Sequence, residues 1–244
     1  MKRITWILLF LIYVTVPRAQ DLKFTDANEY GNWMMSYYKN PQPANLFEAF
    51  KYGVNSTEIA NSGSRDLVLS FFAAIFRQDT LVQNDFYDRL KTEENQNVRY
   101  GFIFSLWYTN GEHSNSKLKD FKQLKINEKD VENIDSLLKT RPIDIFNDPI
   151  SDPTHLDMCW ADYFATGRKQ GVLKIISGLE NINSQDYTKK VIASSARWSL
   201  RNNAYMHETV YEIITEQIEN GAPNNAAQLI SILKEVDEKR NEHN

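Results

Sequence analysis

Apolar residues recur along this chain at intervals of three and four, in blocks set apart by polar residues, proline and glycine. That period matches the turn of an α-helix, and the alternating Val/Ile/Thr runs of a half-buried strand are absent. Thr25-Asp26 can cap a helix carrying Trp33, Met34, Tyr37 and Tyr38, stopped by Asn40-Pro41-Gln42-Pro43. Pro43 suits the first turn of a second helix bearing Leu46, Phe47 and Phe50, because a missing N–H costs nothing there. Further blocks follow: Ser64 before Leu67 to Phe76, Asp79 or Thr80 before Leu81, Val82, Phe86 and Leu90, and Asn95 or Asn97 before Val98, Phe102, Leu106 and Trp107. Residues 115–140 are more polar, and their two apolar stripes (Leu118, Phe121, Leu124; Val131, Ile134, Leu137, Leu138) predict surface helices.

The stretch 141–151, with two prolines, reads as a linker between an N-terminal helical part (20–140) and a C-terminal one (152–244), or as a bend inside one continuous domain. Asp152-Pro153 then supplies a cap and a first-turn proline, and Gly167 a stop. A helix through Val172, Ile175, Ile176 and Leu179 is expected next. Ser184 is the expected cap of a helix with Tyr187, Val191, Ile192, Ala196 and Trp198. Val210 to Ile218 predicts another helix, closed by Gly221. A last one, from about Pro223, carries Leu229, Ile230, Ile232, Leu233 and Val236, and the charged tail from Asp237 is expected to fray. The count is about eleven helices. The fold class is therefore all-α, with antiparallel helix pairs stacked as an α-α superhelix (solenoid) or as an irregular helical bundle.

A longer period is visible as well. FAAIF (72–76) and WADYF (160–164) share an aromatic, an alanine and an aromatic end. Each precedes a helix ending in leucine (Leu90, Leu179), then a longer helix with a late tryptophan (Trp107, Trp198), an asparagine turn and a histidine (His113, His207). The offset is about ninety residues. Either the chain is internally duplicated, or two amphipathic helical hairpins look alike at this resolution.

The N-terminus changes the picture of where the chain goes. Lys2 and Arg3 precede an apolar run from Ile4 to Val16, followed by Pro17-Arg18-Ala19. This is the pattern of a signal peptide over residues 1–19, too short for a membrane-spanning anchor. An exported, periplasmic or secreted protein is implied, with no integral membrane anchor after cleavage. Losing the three positive charges of Lys2, Arg3 and Arg18 moves the formal charge from −4 to −7. An acidic chain with no basic stripe is a poor nucleic-acid binder, because phosphate contacts need clustered Lys and Arg. Cys159 is the only cysteine, so no internal disulfide can form.

Candidate chemistry concentrates in HLDMCWADYFATG (155–167). On a helical wheel, Leu156, Trp160, Tyr163 and Phe164 share a core-facing stripe. His155, Cys159, Asp162 and Thr166 form a second row at its edge. A thiol, an imidazole and a carboxylate are the types of a nucleophile–base–orienter set, so an exported thiol-dependent hydrolase using His155, Cys159 and Asp162 is one reading. The other is structural: Cys159 as a small buried hydrophobe, His155 as a helix-terminus or interface group, Asp162 paired with Arg168 or Lys169. A helix row holds its side chains parallel rather than converging, which favours the structural reading. No phosphate loop, Gly-x-Ser-x-Gly elbow or His-Glu-x-x-His is present, and neither a cofactor nor a metal site is expected.

The block from His155 through Phe164-Ala-Thr-Gly167, with Ile175-Ile176, Leu179, Arg197-Trp198-Ser199-Leu200, Asn203-Ala204 and His207, resembles uncharacterised exported bacterial proteins built of helix pairs. It is similar in style to HEAT and tetratricopeptide-like repeats over roughly the C-terminal third, without the tetratricopeptide Trp/Gly/Tyr consensus. The resemblance implies a helical-repeat module and no catalytic residue. With 30 aromatic residues, five of them tryptophan, the favoured expectation is a non-catalytic scaffold binding a protein or peptide. Trp33, Met34, Tyr37 and Tyr38 are the candidate contact residues, because Tyr and Trp offer large area with a polar handle. For this helix taken by itself, burial on two sides is the favoured reading, and an exposed patch for a partner is the other.

Overall fold

The computed structural model describes residues 22–124, 127–220 and 224–242. The signal-like segment 1–19, and Gly221, Pro223 and His243, lie outside the described residues. Among the described residues the chain is all-helical, without strands. Thirteen α-helices run in order: α1 (Ala27–Ser36), α2 (Leu46–Asn55), α3 (Thr57–Asn61), α4 (Arg65–Gln78), α5 (Thr80–Leu90), α6 (Gln96–Tyr108), α7 (Glu112–Gln123), α8 (Glu128–Leu137), α9 (Pro153–Thr166), α10 (Lys169–Ser177), α11 (Tyr187–Met206), α12 (Glu208–Glu219) and α13 (Ala226–Asn241). Short 3-10 turns cover Tyr37–Lys39, Pro43–Asn45 and Gly178–Asn181.

Most boundaries follow from capping chemistry. The side chains of Asp26, Asp79, Asn95, Asn127 and Asp152 each accept a first-turn N–H. Gly167 ends α9 at φ +69°, a left-handed conformation that a Cβ would penalise. One cap differs from expectation. Asp186, not Ser184, caps α11 by accepting the N–H of Lys189, while Ser184 accepts the N–H of Asp186 one step earlier. A carboxylate beside the positive end of the helix outcompetes a hydroxyl for that place. The tail does not fray at Asp237. α13 continues to Asn241, held by Arg240, which donates to the Ala204 carbonyl at 2.9 Å and pairs with Glu208. The expected asparagine turn after Trp198 is also absent: Asn202 and Asn203 lie inside α11.

α4 and α9 form the central pair. α4 is buried without a break from Val68 to Phe76, and α9 from Met158 to Ala165. A helix that is apolar all round must be enclosed, and these two pack along each other. Buried alanines on both (Ala73, Ala74; Ala161, Ala165) permit a close approach. Around the pair, packing repeats. α4 meets α5 and α6, α6 meets α7 and α8, and α7 meets α8; α9 meets α10 and α11, α11 meets α12 and α13, and α12 meets α13. FAAIF and WADYF occupy the same places, eighth to twelfth, in α4 and α9, and Trp107 and Trp198 are each twelfth in α6 and α11. The packing order thus repeats with the sequence pattern, as two five-helix units. α1 and the Tyr37–Lys39 turn lie against α9, and one contiguous apolar core runs from Tyr30 to Val236. No helix among the described residues is long and apolar enough to cross a membrane.

Candidate functional site

The His155/Cys159/Asp162 row is built by α9, and its three groups have separate partners. His155 is fully buried, and its Nε2 lies 3.0 Å from the Ile145 carbonyl. Only a donor can satisfy that oxygen, so the proton sits on Nε2; the buried Nδ1 has no hydrogen-bond partner. The Cys159 thiol points at the same carbonyl, at 3.8 Å. Two polar groups aimed at one backbone oxygen do not form a nucleophile and its base. Burial pushes the Cys159 thiol up to about 12; Lys174 opposes that, and Asp162 and Asp157 add to it. A nucleophilic cysteine needs the reverse, a thiol held down toward the thiolate.

Asp162, also fully buried, takes Arg77 from α4 at 3.0 Å and Arg168 at 2.8 Å, both on Oδ1. Arg168 is the expected partner; Lys169 instead reaches Glu216 at 2.9 Å. Thr166 closes the row by donating to the Asp162 backbone carbonyl at 2.6 Å. Arg77 spends its remaining donors on the carbonyls of Thr109 and Tyr108, both at 3.2 Å. Burial lowers its pKa, and Asp162 counters most directly. Lys174 donates to the Phe146 carbonyl at 3.1 Å, and Arg141 pairs with Asp148. The row therefore straps segment 141–151 and α4 onto α9. Among the described residues no group of three His, Cys, Asp or Glu side chains is placed to hold a metal.

The early aromatic residues go mostly inward. Met34 and Tyr37 are buried, while Trp33 and Tyr38 are half-buried. Trp33 packs edge-on against Phe24 and Tyr37. Burial pushes the Tyr37 phenol up to about 12. Tyr38 lies 4.9 Å ring to ring from Tyr163, and its hydroxyl meets His207 Nδ1 at 3.2 Å and Thr209 at 3.0 Å. Tyr37 and Tyr38 share a cavity of about 180 Å³ with Pro41, Pro43 and Asp79. Desolvation holds the His207 imidazole down at about 4, with Lys39 adding to the effect. This cluster ties the first turns of the chain to the last helices, 169 residues away.

The exposed aromatics lie elsewhere. Tyr187 is 81 % and Trp198 62 % exposed, although both are among the apolar and aromatic residues that predict α11. The stripe that is buried runs through Ile192, Ala196 and Leu200. Eleven residues is three helical turns, so Tyr187 and Trp198 share a face, and at 100° per residue that face is opposite the buried stripe. The spacing in the sequence contains this shared face, but not which side of the helix its neighbours cover. Beside Trp198 a groove of about 480 Å³ opens between α11 and the start of α9, with Leu156, Asp157, Ser194, Ser195 and Ser199 in its walls. Desolvation raises the Asp157 carboxyl, and Asp152 raises it further. Compared with known proteins, the chain matches no family model, no curated protein and no solved structure.

Proposed function

We propose that this protein is an exported, non-catalytic helical scaffold that binds a protein or peptide partner through the outer face of α11. One observation carries the reading: Tyr187 and Trp198 stand exposed on the same face, turned away from the core. Tyr and Trp are the side chains that most often anchor interfaces, and Trp198 stands at the edge of a groove. The signal-like N-terminus supports export. The structural employment of His155, Cys159 and Asp162 supports a role without chemistry at that row. The binding face moves from the early aromatic helix to α11, because Met34 and Tyr37 are buried.

A random twelve-residue peptide library displayed on phage and panned against the purified chain tests this. Enriched peptides should bind in the micromolar range and lose about tenfold, roughly 1.4 kcal/mol, when Tyr187 or Trp198 is replaced by serine. Circular dichroism of both variants should match the parent, since neither side chain is in the core. No enrichment, or equal binding by the variants, overturns the reading.

A further inference from the structure

The two five-helix units differ at one face. In α6, positions nine and thirteen are Phe104 and Tyr108; in α11 the same positions are Ser195 and Ser199. The start of α4 covers this face in the first unit. There the Tyr108 hydroxyl donates to Asp66 at 3.4 Å, and the Arg65 guanidinium sits 4.9 Å over the Tyr100 ring. Trp107 donates its indole N–H to the Leu137 carbonyl at 3.1 Å. Side chains, a guanidinium and a backbone carbonyl thus close the first unit's face from within.

In the second unit the start of α9 meets the corresponding face, and two serines replace the aromatics. The result is the groove floored by Leu156 and rimmed by Trp198 and Asp157. Among the described residues Asp157 has neither an ion pair nor a hydrogen bond, unlike the other carboxylate on its helix, Asp162. Tryptophan offers the strongest ring face for a cation. Asp157 lines the same groove and has no partner of its own, so it can take a positive charge. The Ser199 hydroxyl donates to the Ala196 carbonyl, which leaves its lone pairs free to accept.

Resting on the α11 docking face proposed above, we propose that this groove receives an arginine or lysine side chain of the partner peptide. The alkyl stem lies on Leu156 and the Trp198 indole, and the charge is met by Asp157 and the serine hydroxyls. The chain's own negative charge, −4 over the full sequence, draws a basic segment toward it.

The test uses three acetylated, amidated octapeptides on one alanine frame, carrying two arginines, two citrullines or two glutamates. Citrulline keeps the shape of arginine and removes its charge. The readout is the Trp198 indole cross-peak in a proton–nitrogen correlation spectrum of the whole protein, assigned by its loss in Trp198→Phe. The arginine peptide should shift it saturably, with an affinity about threefold to tenfold above the citrulline peptide at low salt. That ratio should fall to about one in Asp157→Asn, and the glutamate peptide should leave the peak in place. Equal titration by arginine and citrulline peptides, an unchanged ratio in Asp157→Asn, or no shift with any peptide overturns the inference. If library peptides still bind through Tyr187 and Trp198, the docking face survives and only its basic preference falls. If the library yields nothing, the docking face itself has failed.

Discussion

Arg77 of α4 and Asp162 of α9 meet at 3.0 Å across the seam between the two five-helix units. They are 85 residues apart in the chain. Asp162 has no exposed surface and also receives Arg168, so two guanidiniums share one buried carboxylate. The two arginines keep about a third of their side chains in water.

Removing the carboxylate leaves both arginines facing each other without the buried counter-charge that they share. Asp162→Ala should therefore destabilise by about 3 kcal/mol, the low end for a broken buried pair because the arginines retain some solvent. Arg168→Ala leaves Arg77 in place and should cost about 1 kcal/mol or less. Urea unfolding should show the two midpoints well separated with similar slopes. Equal small shifts would mean that the seam does not depend on this carboxylate.

The Cys159 thiol is enclosed and held in its protonated form by burial, up to about 12. Iodoacetamide at neutral pH should leave it unmodified in the native protein and label it in denaturant. Cys159→Ala removes one buried sulfur and should cost about 1 kcal/mol without altering peptide binding. Rapid labelling of the native chain would contradict this packing.

His207 sits at about 4 in the folded protein because burial disfavours the imidazolium. The ordinary histidine value in an unfolded chain is about 6.5. The unfolded state therefore binds more protons between those values. The stability that neutral His207 contributes is complete above about pH 6.5 and is lost as pH falls toward about 4. Unfolding free energies from urea titrations between pH 7.5 and 4 should fall, by less than about 1.4 kcal/mol per pH unit from this group. His207→Gln should flatten the difference, since glutamine cannot take up the proton. A parallel pH curve for the variant would remove His207 from the account.

Two glycines in helices should respond oppositely to alanine. A Cβ at Gly171 of α10 would lie 2.4 Å from the Cys159 carbonyl oxygen, a backbone atom that cannot swing away. Gly171→Ala should destabilise by about 1–3 kcal/mol as the helices are pushed apart. Gly31, inside α1, has nothing within 4 Å of its Cβ position. Gly31→Ala should stabilise by about 0.5–1 kcal/mol through helix propensity and a less flexible unfolded chain. Thermal midpoints shifting in opposite directions would verify both.

Several features were legible because they are local. Asp79, Asn95, Asp152 and Gly167 each act within one turn of their own helix, and their residue types announce it. The likeness of FAAIF and WADYF survives as equal places in two central helices. Other features were not legible in the same way. Periodicity counted Tyr187 and Trp198 with the apolar residues of α11, whereas the neighbours of that helix cover only the side of Ile192, Ala196 and Leu200. The His155, Cys159 and Asp162 row looked chemical because reactive and structural uses draw on the same residue types.

The amino-acid order alone determined an all-helical chain, most of its helix ends and many, though not all, of the residues that are buried. Helix periodicity and capping are set by hydrogen bonds spanning three or four residues, so a single strand of sequence contains them. Only the tertiary structure decided that α4 and α9 lie together, that Arg77 meets Asp162, and that Tyr38 meets His207. It also decided which face of α11 stays in water. Those outcomes depend on which oily faces find each other across long stretches of chain, and no local period records that choice.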